Sequence, residues 1–228
     1  MQKPLVILDF DGTLAPIVPK PGDARIARST LCKLQALSKD AELAILTGRP
    51  QNFVRSQLGG IRIQVIGLHG NRQSRMGHGM LKLLTLAKKR FTSISGMQIE
   101  RKPMGFVVHY RNVRKAQLAS AERSIRRFAK STDAKILNGR KSFEFLPPGS
   151  KTKADALAAI VRRNSRRRVL YIGDDPSDAE AILKARGYRN FSGALIKSKE
   201  VGACGIRKIS RRGLFRFIRL FVEPNDEC

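Results

Sequence analysis

Leu5-Val6-Ile7-Leu8-Asp9-Phe10-Asp11-Gly12-Thr13-Leu14 decides the fold. Four consecutive apolar residues read as a short strand buried on both faces, the kind that parallel sheets contain. The strand must stop at Asp9-Phe10-Asp11, and residues i and i+2 of a strand point to the same side. Two carboxylates at one strand tip, followed by Gly-Thr, are costly unless a cation or a reaction uses them. An Asx turn would account for Asp11-Gly12 by itself. It does not account for the whole six-residue string placed directly after a strand.

Outward from this segment, strands and helices alternate. A helix is expected from Asp23 to Ser38, carrying Ile26, Leu31, Leu34 and Leu37, and then a strand from Glu42 to Leu46 that ends at Thr47-Gly48-Arg49. Pro50 fits the first turn of the next helix and Gly59-Gly60 its end. A third strand, Ile61 to Ile66, runs into Gly67-Leu68-His69-Gly70. The pattern resumes late in the chain with a helix from Lys151 to Arg163, a strand from Arg168 to Ile172 ending in Gly173-Asp174-Asp175, and a helix from Pro176 to Arg186. Strands that each end in a polar or glycine-rich loop define a doubly wound parallel sheet, whose sites lie at the carboxyl ends of its strands.

The middle of the chain reads differently. Strands are expected at Gln98 to Arg101 and Gly105 to Arg111, a helix from about Val113 to Lys130, and a hairpin joining Ala134–Leu137 to Lys141–Leu146 around Asn138-Gly139. The expected organisation is therefore an α/β core from residues 1–72 and 148–228, interrupted by an α+β unit of residues 73–147 that can close over a site as a cap.

Bulk composition narrows the function. With 228 residues and 42% apolar content the chain can build a real interior. Lys and Arg total 45 against 18 acids, a net charge of +27, so the protein's field attracts phosphates and polyanions. Nucleic acid is nevertheless not expected as the main partner, because no nucleic-acid-binding motif is present, Trp is absent and aromatics make up only 6%. Cys32, Cys204 and Cys228 fit neither a zinc site nor a disulfide framework, which points to a reducing, cytoplasmic setting. The N-terminal apolar run is too short for a signal peptide or a membrane span. The stretch Gly213 to Val222, apolar at 214, 217, 218 and 221, reads as a terminal helix docked on the sheet, with a basic membrane-surface helix as the alternative.

At the carboxyl edge of such a sheet, Asp9 and Asp11, Thr47, a lysine near 151 to 153, and Asp174, Asp175 and Asp178 converge. Carboxylates from distant segments make a hard oxygen site suited to Mg2+. A hydroxyl, backbone N–H groups and a lysine can hold the remaining phosphoryl oxygens. One carboxylate can attack phosphorus while a second protonates the leaving group and later activates water.

Asp9-Phe10-Asp11-Gly12-Thr13-Leu14, Thr47-Gly48-Arg49, Lys151-Thr152-Lys153 and Gly173-Asp174-Asp175-Pro176-Ser177-Asp178 resemble, in order, the four motifs of the haloacid-dehalogenase (HAD) phosphatases. Gly67-Leu68-His69-Gly70, Glu100-Arg101-Lys102 with His109-Tyr110-Arg111, and Phe143-Glu144-Phe145-Leu146-Pro147-Pro148-Gly149 resemble the trehalose-6-phosphate phosphatase branch, over about residues 4 to 185. The resemblance implies a HAD-like Rossmannoid core with a cap. Asp9 is then the nucleophile and Asp11 the general acid/base. Mg2+ sits on Asp9, the Asp11 backbone carbonyl and Asp174, with Asp175 and Asp178 supporting. Gly12, Thr47, Gly48 and a motif-three lysine hold the phosphoryl group, and Arg49, His69, Glu100, Lys102, Arg111 and Glu144 contact the sugar. Counting back from Ala156-Leu157 makes that lysine Lys153; counting forward from Gly149 makes it Lys151.

The implied activity is Mg2+-dependent hydrolysis of trehalose 6-phosphate by a single-copy cytoplasmic enzyme, with sucrose phosphate or a glycosyl-glycerate phosphate as alternative substrates. His69 and His109, lacking partners at ligand spacing, read as buried histidines and not as metal ligands. A non-enzymatic polyanion-binding protein on the same scaffold is the competing class.

Overall fold

The computed structural model describes residues 2–71, 75–139, 141–197 and 205–223. The opening apolar run forms strand β1 (Leu5–Leu8), buried throughout. It lies between β2 (Glu42–Leu46) and β8 (Val169–Gly173), parallel to both, with Leu8 opposite Ile45 on one side and Ile172 on the other. With β3 (Gln64–Ile66), β9 (Phe191–Ile196) and β10 (Arg207–Ile209) they form a six-stranded parallel sheet in the order β10-β9-β8-β1-β2-β3. The early strands step away from β1 in one direction and the late strands in the other. The crevice outside the carboxyl ends of β1 and β8 is therefore the topological switch point.

Strand alternation gives each face of this sheet its own core. Val6, Leu8, Leu170 and Ile172 pack with Leu34 and Leu37 of α1 (Arg28–Leu37), Val54 of α2 (Gln51–Arg55) and Leu214 and Ile218 of α7 (Leu214–Val222). Leu5, Ile7, Val169 and Tyr171 pack with Ala154, Leu157 and Val161 of α5 (Lys153–Arg163) and with Ala181, Ile182 and Ala185 of α6 (Pro176–Ala185). This is the expected α/β doubly wound class. α7 is a docked terminal helix: burying Leu214 and Ile218 contributes about 1.5–3 kcal/mol each. Among the described residues no helix is long and apolar enough to cross a membrane.

The chain folds as two compact units, residues 1–70 with 151–228, and residues 71–150. The expected boundary between residues 72 and 73 falls within a stretch, 72–74, that lies outside the described residues, as do Cys204 and Cys228. The second unit contains α3 (His78–Phe91), β4 (Gln98–Arg101), β5 (Phe106–His109), α4 (Leu118–Lys130), β6 (Lys135–Gly139) and β7 (Ser142–Leu146), with an antiparallel sheet ordered β4-β5-β7-β6. Phe106, Val108, Phe143 and Phe145 form a core with Leu84, Ala87 and Phe91 of α3 and Ile125 and Phe128 of α4.

Several expected elements shift. The first helix starts at Arg28, since residues 24 to 27 run outside any helix, bury Ala24 and Ile26, and pair with Gln57, whose Oε1 accepts from Ile26 N–H at 3.0 Å. The third strand is cut to Gln64–Ile66. The helix expected from Val113 begins at Leu118 after one 3-10 turn. The hairpin turns two residues later than Asn138-Gly139, with Gly139 opposite Ser142. Turning at 138-139 would set Lys141 opposite Ile136 on the core face; the observed register sets Phe145 there.

Candidate active site

Asp9 follows β1 and stays buried. The chain then curls back: Leu14 and Ala15 N–H groups donate to Phe10 O, and Gly12 N–H donates to Ala15 O. Gly12 has φ +81°, and a Cβ there would stand 1.9 Å from Asp174 Oδ2. Glycine is therefore required twice, for its backbone angle and for the close approach of the Asp174 carboxylate.

A capping box fixes where α5 begins. Thr152 is the N-cap of α5 and accepts from Asp155 N–H, while the Asp155 carboxylate accepts from Thr152 N–H. Lys153 is thereby the first helical residue, and its side chain enters the core with 4% exposure. Its Nζ donates to Asp9 Oδ1 at 2.9 Å and to Asp178 Oδ1 at 2.7 Å. The alternative, Lys151, precedes the cap and is exposed.

Asp178 organises the other strand tip. Asp175 caps α6 by accepting from Asp178 N–H, and Pro176 at the first helical position lacks the donor that would be left over there. The Asp178 carboxylate, 0% exposed, accepts from Lys153 Nζ and Tyr171 Oη on one oxygen, and from Asp174 and Asp175 N–H at 2.8 and 3.1 Å on the other. Tyr171 was absent from the expected site. Its only sequence signal was a hydroxyl within the buried β8 run, two residues before Gly173.

The electrostatics follow from this packing. Burial raises the Asp9 carboxyl well above the usual carboxylate range; Lys153 opposes this, while Asp178, Asp174 and Asp175 add to it. Burial alone would lower Lys153, but Asp178 and Asp9 hold the ammonium well above its ordinary value. Burial opposes ionisation of Asp178 as well, yet Lys153, Tyr171 and backbone donors bring it below the usual range. Ligand oxygens of Asp9, Asp174 and Asp178 lie within 4.8 Å of one another. An all-oxygen set in which Asp9 resists ionisation suits a hard divalent cation, whose charge would favour the carboxylate form.

The second and third strand tips interlock. Leu68 N–H donates to Arg49 O and His69 N–H to Thr47 O, each at 3.0 Å. His69 takes the left-handed conformation at φ 55°, and its ring lies 2.8 Å from where a Gly48 Cβ would stand. Thr47 is buried, and its Oγ1 accepts from Arg49 N–H. Arg49, expected to contact sugar, grips Asp11 through two hydrogen bonds of 2.7 Å and lies over the Phe53 ring.

In the second unit, Glu100, His109 and Glu144 share one face of the antiparallel sheet. Lys102 Nζ donates to Glu144 Oε1 at 2.9 Å, and His109 Nε2 meets Glu100 Oε2 at 2.9 Å. Arg111, partly buried, follows β5. Asp9, Asp11, Gly12, Thr47, Gly48, Arg49, His69, Lys153, Asp174, Asp175 and Asp178 thus belong to the first unit, and Glu100, Lys102, Arg111 and Glu144 to the second.

The parallel core with its inserted antiparallel unit is the HAD-like fold. Superposition agrees: the chain matches the C-terminal domain of C. albicans trehalose-6-phosphate phosphatase with a TM-score of 0.80 at 19% identity, over 97% of this chain and 92% of that one. A HAD subclass IIB sugar phosphatase matches with a TM-score of 0.61 at 17% identity, over 95% of this chain and 98% of that one.

The sequence narrows the class further. The model of the trehalose-phosphatase family matches residues 7–203, and the chain belongs to that family. Trehalose-phosphate phosphatase of Mycobacterium marinum is 27% identical over 200 residues, covering 80% of this chain and 51% of that protein. An uncharacterized glycosyl hydrolase of Mycobacterium tuberculosis is 28% identical over 205 residues, covering 81% of this chain and 15% of that protein. The chain thus spans about half the length of the curated phosphatase it matches and a small part of the hydrolase.

Proposed function

We infer that the protein hydrolyses trehalose 6-phosphate to trehalose and phosphate by way of an aspartyl-phosphate on Asp9. The observation that carries this reading is the buried Asp9, held by Lys153 at 2.9 Å beside the Asp174 and Asp178 carboxylates. Family membership supports the substrate class.

An Asp9 oxygen attacks phosphorus, the bond from phosphorus to the sugar oxygen breaks, and Asp11 gives that oxygen a proton. Asp11 then takes a proton from water as the water attacks the aspartyl-phosphate, releasing phosphate and restoring the Asp9 carboxylate. Thr47 Oγ1 and the Lys153 ammonium balance the charge that develops on the phosphoryl oxygens. Asp9, Asp174 and the Asp11 carbonyl would hold Mg2+, which when bound neutralises the phosphoryl group. Asp178 is an anchor in this scheme, because each of its oxygens already accepts two hydrogen bonds. Glu100, Lys102, Arg111 and Glu144 select the sugar through its hydroxyls.

Phosphate release from trehalose 6-phosphate, with Mg2+ and with a chelator, tests the reading. Wild type is expected to turn over only with Mg2+, and Asp9→Asn to be folded and inactive. Full activity of Asp9→Asn would refute the nucleophile.

A further inference from the structure

The parallel sheet has a second edge, opposite the one that carries Asp9, Thr47 and Asp174. All six strands run the same way; Phe191, Val169, Leu5 and Glu42 are level with one another along it, β3 begins two residues further in, and Arg207, which opens β10, lies three residues in, level with Ala194 and Ile172. Arg168 immediately precedes β8, with Arg166 two residues before it. Lys3, Arg62 and Arg189 each stand two residues ahead of β1, β3 and β9. All five of these cations are exposed. The acids here are Glu42, which opens β2 and accepts from Arg167 Nη1 at 2.6 Å, Asp40 two residues before it, and Glu223, whose carbonyl faces Arg168. A cleft of about 560 Å³ opens beside Lys3, Arg163 and Arg166.

From β9 to β3, four inter-strand spacings of about 4.8 Å make this a cationic line about 19 Å long, interrupted at β2 by Glu42. A small anion needs donors that converge on one point, whereas these are strung out. A linear chain of phosphates presents its charges strung out in the same way. Phe217 and Phe221 are already covered by the guanidinium groups of Arg207 and Arg168, at 4.8 and 4.7 Å from the ring centres. No base-stacking platform is therefore offered on this edge among the described residues.

We propose that the amino-terminal edge of the parallel sheet binds a nucleic-acid strand through its phosphodiester backbone, without regard to sequence and apart from the phosphatase site. Motif reading along the chain misses this surface, since its cations come from four separate segments and only the strand order aligns them.

Fluorescence anisotropy with short labelled oligouridylate and oligothymidylate, titrated with salt, tests it on the full chain. Five backbone contacts to a single strand give a slope of log affinity on log salt of roughly −3.5. Lys3→Glu/Arg166→Glu/Arg189→Glu removes three of them. It is expected to weaken binding at least about tenfold, to bring the slope to roughly −1.4, and to leave the thermal transition in place. Lys82→Glu/Lys88→Glu/Lys89→Glu on α3 makes the same change in net charge away from the edge and is expected to bind nearly as wild type does. Comparable affinity for the RNA and DNA strands is expected of backbone recognition. Equal weakening by the two triple variants would overturn the proposal, as would binding to phosphatidylserine vesicles but not to either oligonucleotide.

Discussion

Lys153→Met takes the only cation among the described residues out of the group formed by Asp9, Asp178 and Tyr171 while keeping most of the side chain's bulk. Lys153 is 4% exposed and bridges two carboxylates, so its removal leaves buried charge uncompensated. Breaking a buried pair in this way costs about 3–5 kcal/mol. For a chain of this size each kcal/mol moves Tm by about 2–4 °C, which gives a fall of roughly 6–20 °C. The loss must also depend on pH. Without the ammonium, Asp9 and Asp178 bind protons more tightly in the folded chain than in the unfolded one. The folded variant then gains stability as pH falls, and its deficit against wild type shrinks. Urea unfolding followed by circular dichroism, without divalent cations, at mildly alkaline and mildly acidic pH reads both effects. A loss below about 1 kcal/mol, or one that is equal at both pH values, would refute the electrostatic account of this centre.

Two further substitutions probe the loops that build the site. Gly12→Ala places a methyl where Asp174 Oδ2 now lies and strains a residue at φ +81°; a Mg2+ titration of the phosphatase rate is expected to need more Mg2+ for half-maximal activity in a folded protein, and an unchanged titration would contradict the role given to Asp174. Asp155 is held well below the usual carboxylate range, first by the hydrogen bond from Lys184 and then by Thr152 N–H. Asp155→Asn is therefore expected to lose up to about 1 kcal/mol at neutral pH, less whatever solvent screens from this half-exposed pair. Since the folded carboxyl titrates lower than the unfolded one, the loss should fade as pH drops below about 4, where the unfolded chain takes up the proton. A loss in urea unfolding that stays constant down to that pH would rule out the carboxylate's contribution.

Much of the site could be read along the chain because its residues sit at strand tips, and strand tips are marked by abrupt changes from apolar to polar. β2 occupies the expected Glu42–Leu46, since its buried run is bounded by a polar residue and by Thr47-Gly48. α3 was not foreseen, although Met80, Leu84, Ala87 and Phe91 keep helical spacing, because its start at Gly77-His78-Gly79 carries no side-chain cap and two glycines. The strands β9 and β10 were missed because their exposed and buried residues do not alternate regularly. The choice between Lys151 and Lys153 needed the capping box, in which Thr152 and Asp155 fix where the helix begins. Tyr171 and the central place of Asp178 emerge only when β8 and α6 are brought together.

Initial rates of phosphate release across trehalose 6-phosphate, sucrose phosphate, a glycosyl-glycerate phosphate and a simple hexose phosphate, with Mg2+ present, bear most directly on the assigned function. Trehalose 6-phosphate is expected to be cleaved with the highest kcat/KM by a wide margin. Comparable values for every member of the panel, or a higher value for another phosphate, would contradict the assignment.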